Sequence, residues 1–206
     1  MVTSGQFLER PAIIAVRKQV LEGLSHRGTL SPPLLIIPPP PEEGSFDHVL
    51  AAELAWASAR AGHPELRFNF RGVGASQGRR SRNDVSRRVD AGAALRLLCE
   101  NTSMTSVAVA ALCGSAGVGL ALQKADKRIR ALALIAPGRL ELNQLREIAV
   151  PLLVVLSREA RADFASVALA VHQAGGTVEV MDGLDASFTQ GLPQVGRTVA
   201  AWLSGL

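Results

Sequence analysis

The chain has 206 residues, 48% of them hydrophobic, and carries a formal net charge of +4. This length supports one compact domain with a well-filled core and is short for two, so we expect a single domain over 1–206. No apolar segment approaches the roughly 18 residues of a membrane span and no signal-peptide pattern opens the chain, which predicts a cytoplasmic protein without membrane contact.

Short runs rich in branched apolar residues predict the strands, which are 12–16, 34–37, 66–70, 107–112, 131–136, 152–156 and 177–181. From the third run onward they alternate with segments of helical periodicity, near 48–61, 82–100, 117–125, 161–174 and 192–205. This alternation predicts an α/β fold with a doubly wound, mainly parallel sheet and helices on both faces. No helix separates the first run from the segment 20–28, so the two predict an antiparallel edge hairpin.

The carboxyl ends of parallel strands share one edge of a sheet, where the ligands and catalytic groups of such folds collect. The loops that we expect on this edge, which we call the rim, are 38–48, 71–82, 113–119, 157–163 and 182–190. The first of them opens with four prolines, Pro38–Pro41, which end a strand and stiffen the chain after it. Candidate chemistry therefore belongs to these loops.

Two stretches carry a resemblance to a known family: AGHPELRFNFRGVGASQG at 61–78 and CGSAGVGLALQKADKRIRALALIAP at 113–137. They resemble small bacterial α/β-hydrolase-fold proteins of the lid-less, dienelactone-hydrolase-like type. The match is specific over 66–78 and extends more loosely from residue 12 to the C-terminus. The resemblance implies an α/β-hydrolase-like fold whose rim would carry a nucleophile, a base and an acid.

The nucleophile elbow of this family needs small residues two positions before and two after the nucleophile. In the register that we prefer, Ser115 is the nucleophile between Cys113 and Gly117, and the following helix and strand fall at the family's spacing. In a second register Cys113 is the nucleophile, between Ala111 and Ser115. A third interpretation is a glycine-rich turn that only allows close packing of helix on sheet.

The resemblance also locates the other catalytic positions, and this chain departs from each of them. The family's histidine would fall at Ala186, so His48, just after the proline-rich loop, is the candidate base. Glu159 and Asp163 are the candidate acids, with a surface ion-pair cluster as the alternative. The prolines remove backbone N–H donors from the loop that binds the oxyanion in relatives.

A basic cluster follows Gly78 in a rim loop and the first turns of a helix, formed by Arg79, Arg80, Arg82, Arg87 and Arg88. Guanidinium groups near a helix N-terminus can bind phosphate or carboxylate, which predicts an acidic protein or a small anionic ligand as partner. A solvated basic face is the alternative. No aromatic residue is interleaved with these arginines, which argues against a nucleic-acid partner.

We therefore expect a catalytically degenerate, hydrolase-like protein, a pseudo-hydrolase that uses its rim to bind a protein partner or a small anion. The first alternative is a serine hydrolase that acts on small esters through Ser115 with a non-standard base. The second is a thiol-dependent hydrolase that acts through Cys113. The two cysteines, Cys99 and Cys113, have neither disulfide nor metal-ligand spacing, and the sequence predicts no metal and no cofactor.

Overall fold

The computed structural model describes residues 8–158, 163–182, 188 and 190–206. Its strands are β1 Arg10–Val16, β2 Gln19–His26, β3 Leu34–Ile37, β4 Glu65–Phe68, β5 Val107–Leu112, β6 Ile129–Ile135, β7 Leu152–Ser157 and β8 Thr177–Met181. The helices are α1 Val49–Ala61, α2 Asp84–Thr102, α3 Ala116–Ala125, α4 Leu142–Arg146, α5 Phe164–Gln173 and α6 Leu192–Ser204.

The described strands form one sheet in the order β1-β2-β4-β3-β5-β6-β7-β8. β1 pairs antiparallel with β2 and β2 with β4, whereas β4, β3 and β5 through β8 pair parallel. The α/β fold with a mainly parallel sheet and an N-terminal antiparallel hairpin, predicted from the sequence, is confirmed. The five-residue helix α4 was not predicted, because it is too short to show a helical period.

Two hydrophobic clusters cover the two faces of this sheet. Alternate residues of β5 point into different clusters: Val107, Val109 and Ala111 pack with α2, α3 and α5, whereas Ala108, Ala110 and Leu112 pack with α1 and α6. Because both faces are covered, β3, β5 and β7 are buried along their whole length. Such strands are continuous apolar runs, which is why the sequence located them closely.

A buried ion pair between Arg71 and Asp90 joins the rim loop at 71–82 to α2. The carboxylate of Asp90 on α2 is fully buried and accepts the backbone N–H of Arg71 at 3.1 Å and its Nη2 at 2.6 Å. The same loop donates the Gln77 N–H to the carbonyl of Val20 on β2. In the described part of the chain, no helix is both long enough and apolar enough to cross a membrane.

Candidate active site at the end of β5

The turn between β5 and α3 has the geometry of a nucleophile elbow centred on Cys113. Cys113 is the first residue after the strand, and its φ of 53° lies in the left-handed region. A short 3-10 turn, Cys113–Ser115, then leads directly into α3. Left-handed backbone at a residue other than glycine costs about 1–3 kcal/mol, and a nucleophile elbow uses this strain to expose its central side chain.

Small residues surround the turn at the positions that the elbow requires. Ala111 stands two positions before Cys113 and Ser115 two positions after it. A Cβ placed on Gly119 would lie 2.6 Å from the Cβ of Ala111, so α3 crosses β5 as closely as backbone and methyl groups permit. The structure therefore adopts the register in which Cys113, and not Ser115, occupies the apex.

Ser115, the nucleophile preferred from the sequence, does not face the rim. Its side chain is fully buried, and its Oγ has no hydrogen-bond partner among the residues that the structure describes. Ser115 is the small residue that the turn folds inward, with ordinary right-handed φ of −83°. Ser115 lies two residues beyond the apex, because the strand ends at Leu112 and the next residue, Cys113, takes the left-handed position.

The backbone N–H that would stabilise an oxyanion is already bonded to a carboxylate. Gly114 N–H donates to Oε2 of Glu43 at 2.9 Å. In a nucleophile elbow, the N–H of the residue after the nucleophile is one of the two oxyanion donors. The second donor comes from the loop after β3, where Pro38–Pro41 have no N–H and where the N–H of Glu43 is bonded to the Pro40 carbonyl.

The Cys113 thiol is poorly suited to act as a nucleophile in this environment. It is half-buried, and burial, together with the nearby charge of Glu43, raises the pKa of Cys113 to about 12. A pKa this far above 7 keeps the thiol protonated at neutral pH, and the thiolate is the nucleophilic form. Glu43 therefore opposes catalysis in two ways, by occupying the oxyanion donor and by disfavouring the thiolate.

His48, the candidate base, begins on the predicted side of the sheet and caps a helix there. It is the N-cap of α1, and its Nδ1 accepts the N–H of Leu50 at 3.3 Å. Burial lowers the pKa of His48, against the opposing effect of Glu43, and so favours the neutral imidazole. No hydrogen bond in the described part of the structure joins His48 to Cys113 or Ser115.

Of the candidate acids and the position of the family's histidine, the structure describes only Asp163. Glu159 and Ala186 lie outside the described residues, so their roles stay predictions. Asp163 is exposed, directly before α5. Arg158, the residue directly after β7, donates to Asp182 at 2.7 Å. Within the described ranges, no three His, Cys, Asp or Glu side chains group together as metal ligands.

Solved structures share this overall fold. An alpha-beta serine hydrolase homologue from Coxiella burnetii superposes with a TM-score of 0.81 over 98% of this chain and 99% of its own, at 24% identity. The chain has the α/β-hydrolase fold. An a/b serine hydrolase without lid from Xanthomonas campestris matches at a TM-score of 0.77 and 20% identity, covering 95% of each chain.

A dienelactone hydrolase from Anabaena variabilis also has this α/β-hydrolase fold, with a TM-score of 0.80 and 14% identity over 97% of this chain and 98% of its own. No protein-family model and no curated protein sequence matches the chain. Identities this low establish the fold, whereas function depends on the side chains of the site.

Three arginines of the basic cluster are exposed at the rim of this α/β-hydrolase fold. Arg79, Arg80 and Arg82 are exposed, and none forms an ion pair with a described residue. Arg88, within α2, is half-buried. The exposed three are the members of the cluster that a partner in solution can reach.

Arg87, predicted as part of the anion-binding cluster, is instead a structural residue. Its side chain is buried, its Nη2 donates to Glu42 at 2.8 Å, and its Nη1 donates to Asp84 at 3.3 Å. Its Nε donates to the carbonyl of Ser81. Because Glu42 and Asp84 neutralise this guanidinium, Arg87 ties the proline-rich loop to α2 and is not available to a ligand.

The contacts of Glu42 and Glu43 were not predicted from the sequence. The two adjacent acids close the proline-rich loop over the rim, Glu42 onto Arg87 and Glu43 onto Gly114. The available signal was a pair of acids directly after four prolines, at a loop where a hydrolase needs hydrogen-bond donors. Their partners lie 45 and 71 residues away along the chain, beyond the reach of local patterns.

Proposed function

We propose that this protein is a non-hydrolytic member of the α/β-hydrolase fold whose rim binds an anionic partner. The observation that carries the proposal is the hydrogen bond from Gly114 N–H to the Glu43 carboxylate. Acyl transfer builds negative charge on a carbonyl oxygen at this N–H, and removal of one such donor typically costs about 10²–10³ in rate. Here the donor is occupied by a negative charge, which repels the developing oxyanion.

Activation of the nucleophile, the other requirement of acyl transfer, is also disfavoured. Attack by Cys113 requires the thiolate, and burial together with Glu43 raises the pKa of the thiol to about 12. A histidine would ordinarily remove that proton, but Nδ1 of His48 is engaged in capping α1. The losses in oxyanion binding and nucleophile activation multiply, because each raises the same barrier.

The binding half of the proposal rests on the exposed arginines. Arg79, Arg80 and Arg82 lie in the loop that leads into α2, on the same rim as the elbow. Free guanidinium groups bind carboxylates and phosphates in bidentate fashion. An acidic protein surface or a small anion therefore complements this part of the rim.

A second candidate is a thiol-dependent hydrolase, favoured by the position of Cys113 at the strained apex of the elbow. In this case the Glu43 carboxylate would have to leave Gly114 when a substrate binds. A serine hydrolase that acts through Ser115 is disfavoured because the Oγ is fully buried.

Steady-state turnover of p-nitrophenyl acetate separates these functions. We expect the wild-type protein to release p-nitrophenol no faster than its Cys113→Ala variant, since the elbow does not carry out acyl transfer. The Ser115→Ala variant serves as the matched control for a one-atom change in the same turn. Turnover that disappears in Cys113→Ala and persists in Ser115→Ala would overturn the proposal in favour of the thiol-dependent hydrolase.

A further inference from the structure

A cavity opens on the rim at the turn of the β1–β2 hairpin. It has a volume of about 340 Å³ and is lined by Val16, Arg17, Lys18, Gln19 and Arg71. The hairpin turn lies beyond the carboxyl end of β4, because β2 runs antiparallel to β4 with Gly23 opposite Phe68. In the sheet order, β2 and β5 are three strand spacings apart, or about 14 Å, so this cavity is separate from the elbow.

The surface that lines the cavity is mostly apolar, and none of the described residues that line it is a carboxylate. Arg17 and Lys18 are exposed, and neither forms an ion pair with any residue in the described ranges. The guanidinium of Arg71 is already neutralised by Asp90, which also fixes its position. Two unbalanced positive charges therefore face the opening of a cavity whose walls are otherwise Val16, the amide of Gln19 and aliphatic stems.

The rim loop that carries Arg79 and Arg80 passes beside the same hairpin. Gln77 is bonded to Val20 in both directions, its N–H to the Val20 carbonyl and its Oε1 to the Val20 N–H. A Cβ placed on Gly78 would lie 2.7 Å from Oε1 of Gln19, so the loop backbone passes directly over the hairpin. Arg79 and Arg80 follow at once, exposed and unpaired among the described side chains.

We infer that this cavity binds a small phosphomonoester, with the phosphate between Arg17 and Lys18 and the organic group against the aliphatic stems that line the cavity. A phosphomonoester carries close to two negative charges at neutral pH, which matches the two unbalanced cations of the lining. Arginine and lysine are the side chains that bind phosphate most readily. The volume lies at the small end of the range for ligand pockets, which fits a single ring or a short chain.

The inference rests on the proposed function in that both require the rim to bind an anion. It goes further by naming the ligand class and by placing the site on the hairpin turn. Isothermal titration calorimetry at low ionic strength tests it, with phenyl phosphate as the probe, benzoate as a monoanion and phenol as the uncharged comparator. We expect phenyl phosphate to bind about tenfold more tightly than benzoate, and phenol not to bind.

Charge-matched double variants locate the site. Arg17→Gln with Lys18→Gln should weaken phenyl phosphate binding about tenfold or more, whereas Lys127→Gln with Arg130→Gln should change it less than about twofold. Lys127 and Arg130 are exposed at the amino end of β6, on the side of the sheet away from the rim. Replacing them lowers the net charge of the protein by the same amount as replacing Arg17 and Lys18. Equal weakening by both pairs, or no binding by the wild type, overturns the inference.

Titration and ester turnover together distinguish failure of the hairpin site from failure of the proposed function. Phenyl phosphate binding that survives Arg17→Gln with Lys18→Gln but is lost on replacing Arg79, Arg80 and Arg82 with alanine overturns the hairpin site and leaves rim binding intact. Cys113-dependent ester turnover overturns the proposed function whatever the titration shows. Phenyl phosphate recovered unhydrolysed after the titration supports a binding role for the cavity.

Discussion

Replacing Asp90 with alanine is expected to lower the free energy of unfolding by about 3 kcal/mol, because it breaks a buried ion pair from its fully buried side. The carboxylate accepts the backbone N–H of Arg71 and two guanidinium donors, Nε and Nη2. Alanine leaves all three donors without their partner, and a buried donor without an acceptor costs the desolvation free energy of that group. Urea denaturation followed by circular dichroism measures the loss.

Asp84→Ala is the matched control for this effect. Asp84 lies on the same helix and also contacts an arginine, Arg87, but its side chain is 65% exposed. An exposed ion pair contributes at most about 1 kcal/mol, so this variant should unfold near the wild-type urea concentration. Equal destabilisation by the two variants would mean that the Asp90–Arg71 pair does not hold the rim loop as described.

Replacing Glu43 with glutamine should make Cys113 more reactive, because the change removes a negative charge that raises the pKa of the thiol. Burial is the larger cause of the raised pKa and is unaffected, so we expect the rate of alkylation by iodoacetamide at pH 8 to rise about threefold to tenfold. Glutamine keeps a carbonyl oxygen for Gly114 N–H, and the change therefore isolates the charge. A Cys99→Ser background leaves Cys113 as the single thiol.

Glu42→Gln is the control in the same background. It makes the same chemical change one residue earlier, where the carboxylate contacts Arg87 and not the elbow. We expect no change in the alkylation rate of Cys113 in this variant. Equal rates for Glu43→Gln and the wild type would contradict the assignment of Glu43 as the group that suppresses the thiolate.

The fold could be predicted because its signal is local. Buried parallel strands such as β3 and β5 are continuous apolar runs, and the segments between them have helical periodicity. The strands predicted at 34–37, 107–112 and 177–181 have the observed bounds. The hairpin followed from the absence of a helix between its strands, since antiparallel neighbours need only a short turn.

The register of the elbow could not be read in the same way. Small residues flank both Cys113 and Ser115, so the spacing rule admits both nucleophiles. The choice depends on where β5 ends, and its last residue, Leu112, is followed by two more small residues with no stop signal between them. A difference of two residues is within the ordinary error of a strand boundary, yet it exchanges the exposed and the buried side chain.

Side-chain contacts between distant segments were also outside the reach of the sequence. Arg87 looks like its neighbours Arg79 and Arg88 in the sequence, and its burial against Glu42 follows from the path of the proline-rich loop. The hydrogen bond from Gly114 to Glu43 depends on the same path. Charge patterns therefore identified the basic cluster but not which of its members are already paired.

Formation of an acyl-enzyme distinguishes a catalytic elbow from an inert one. Intact-protein mass spectrometry after incubation with p-nitrophenyl acetate detects one added acetyl group, and peptide mapping then locates it. We predict that Cys113 stays unmodified in the wild type, because the thiol is protonated and the Gly114 N–H is bonded to Glu43. Rapid stoichiometric acetylation of Cys113, followed by its hydrolysis, would show that the elbow carries out acyl transfer and would contradict this account.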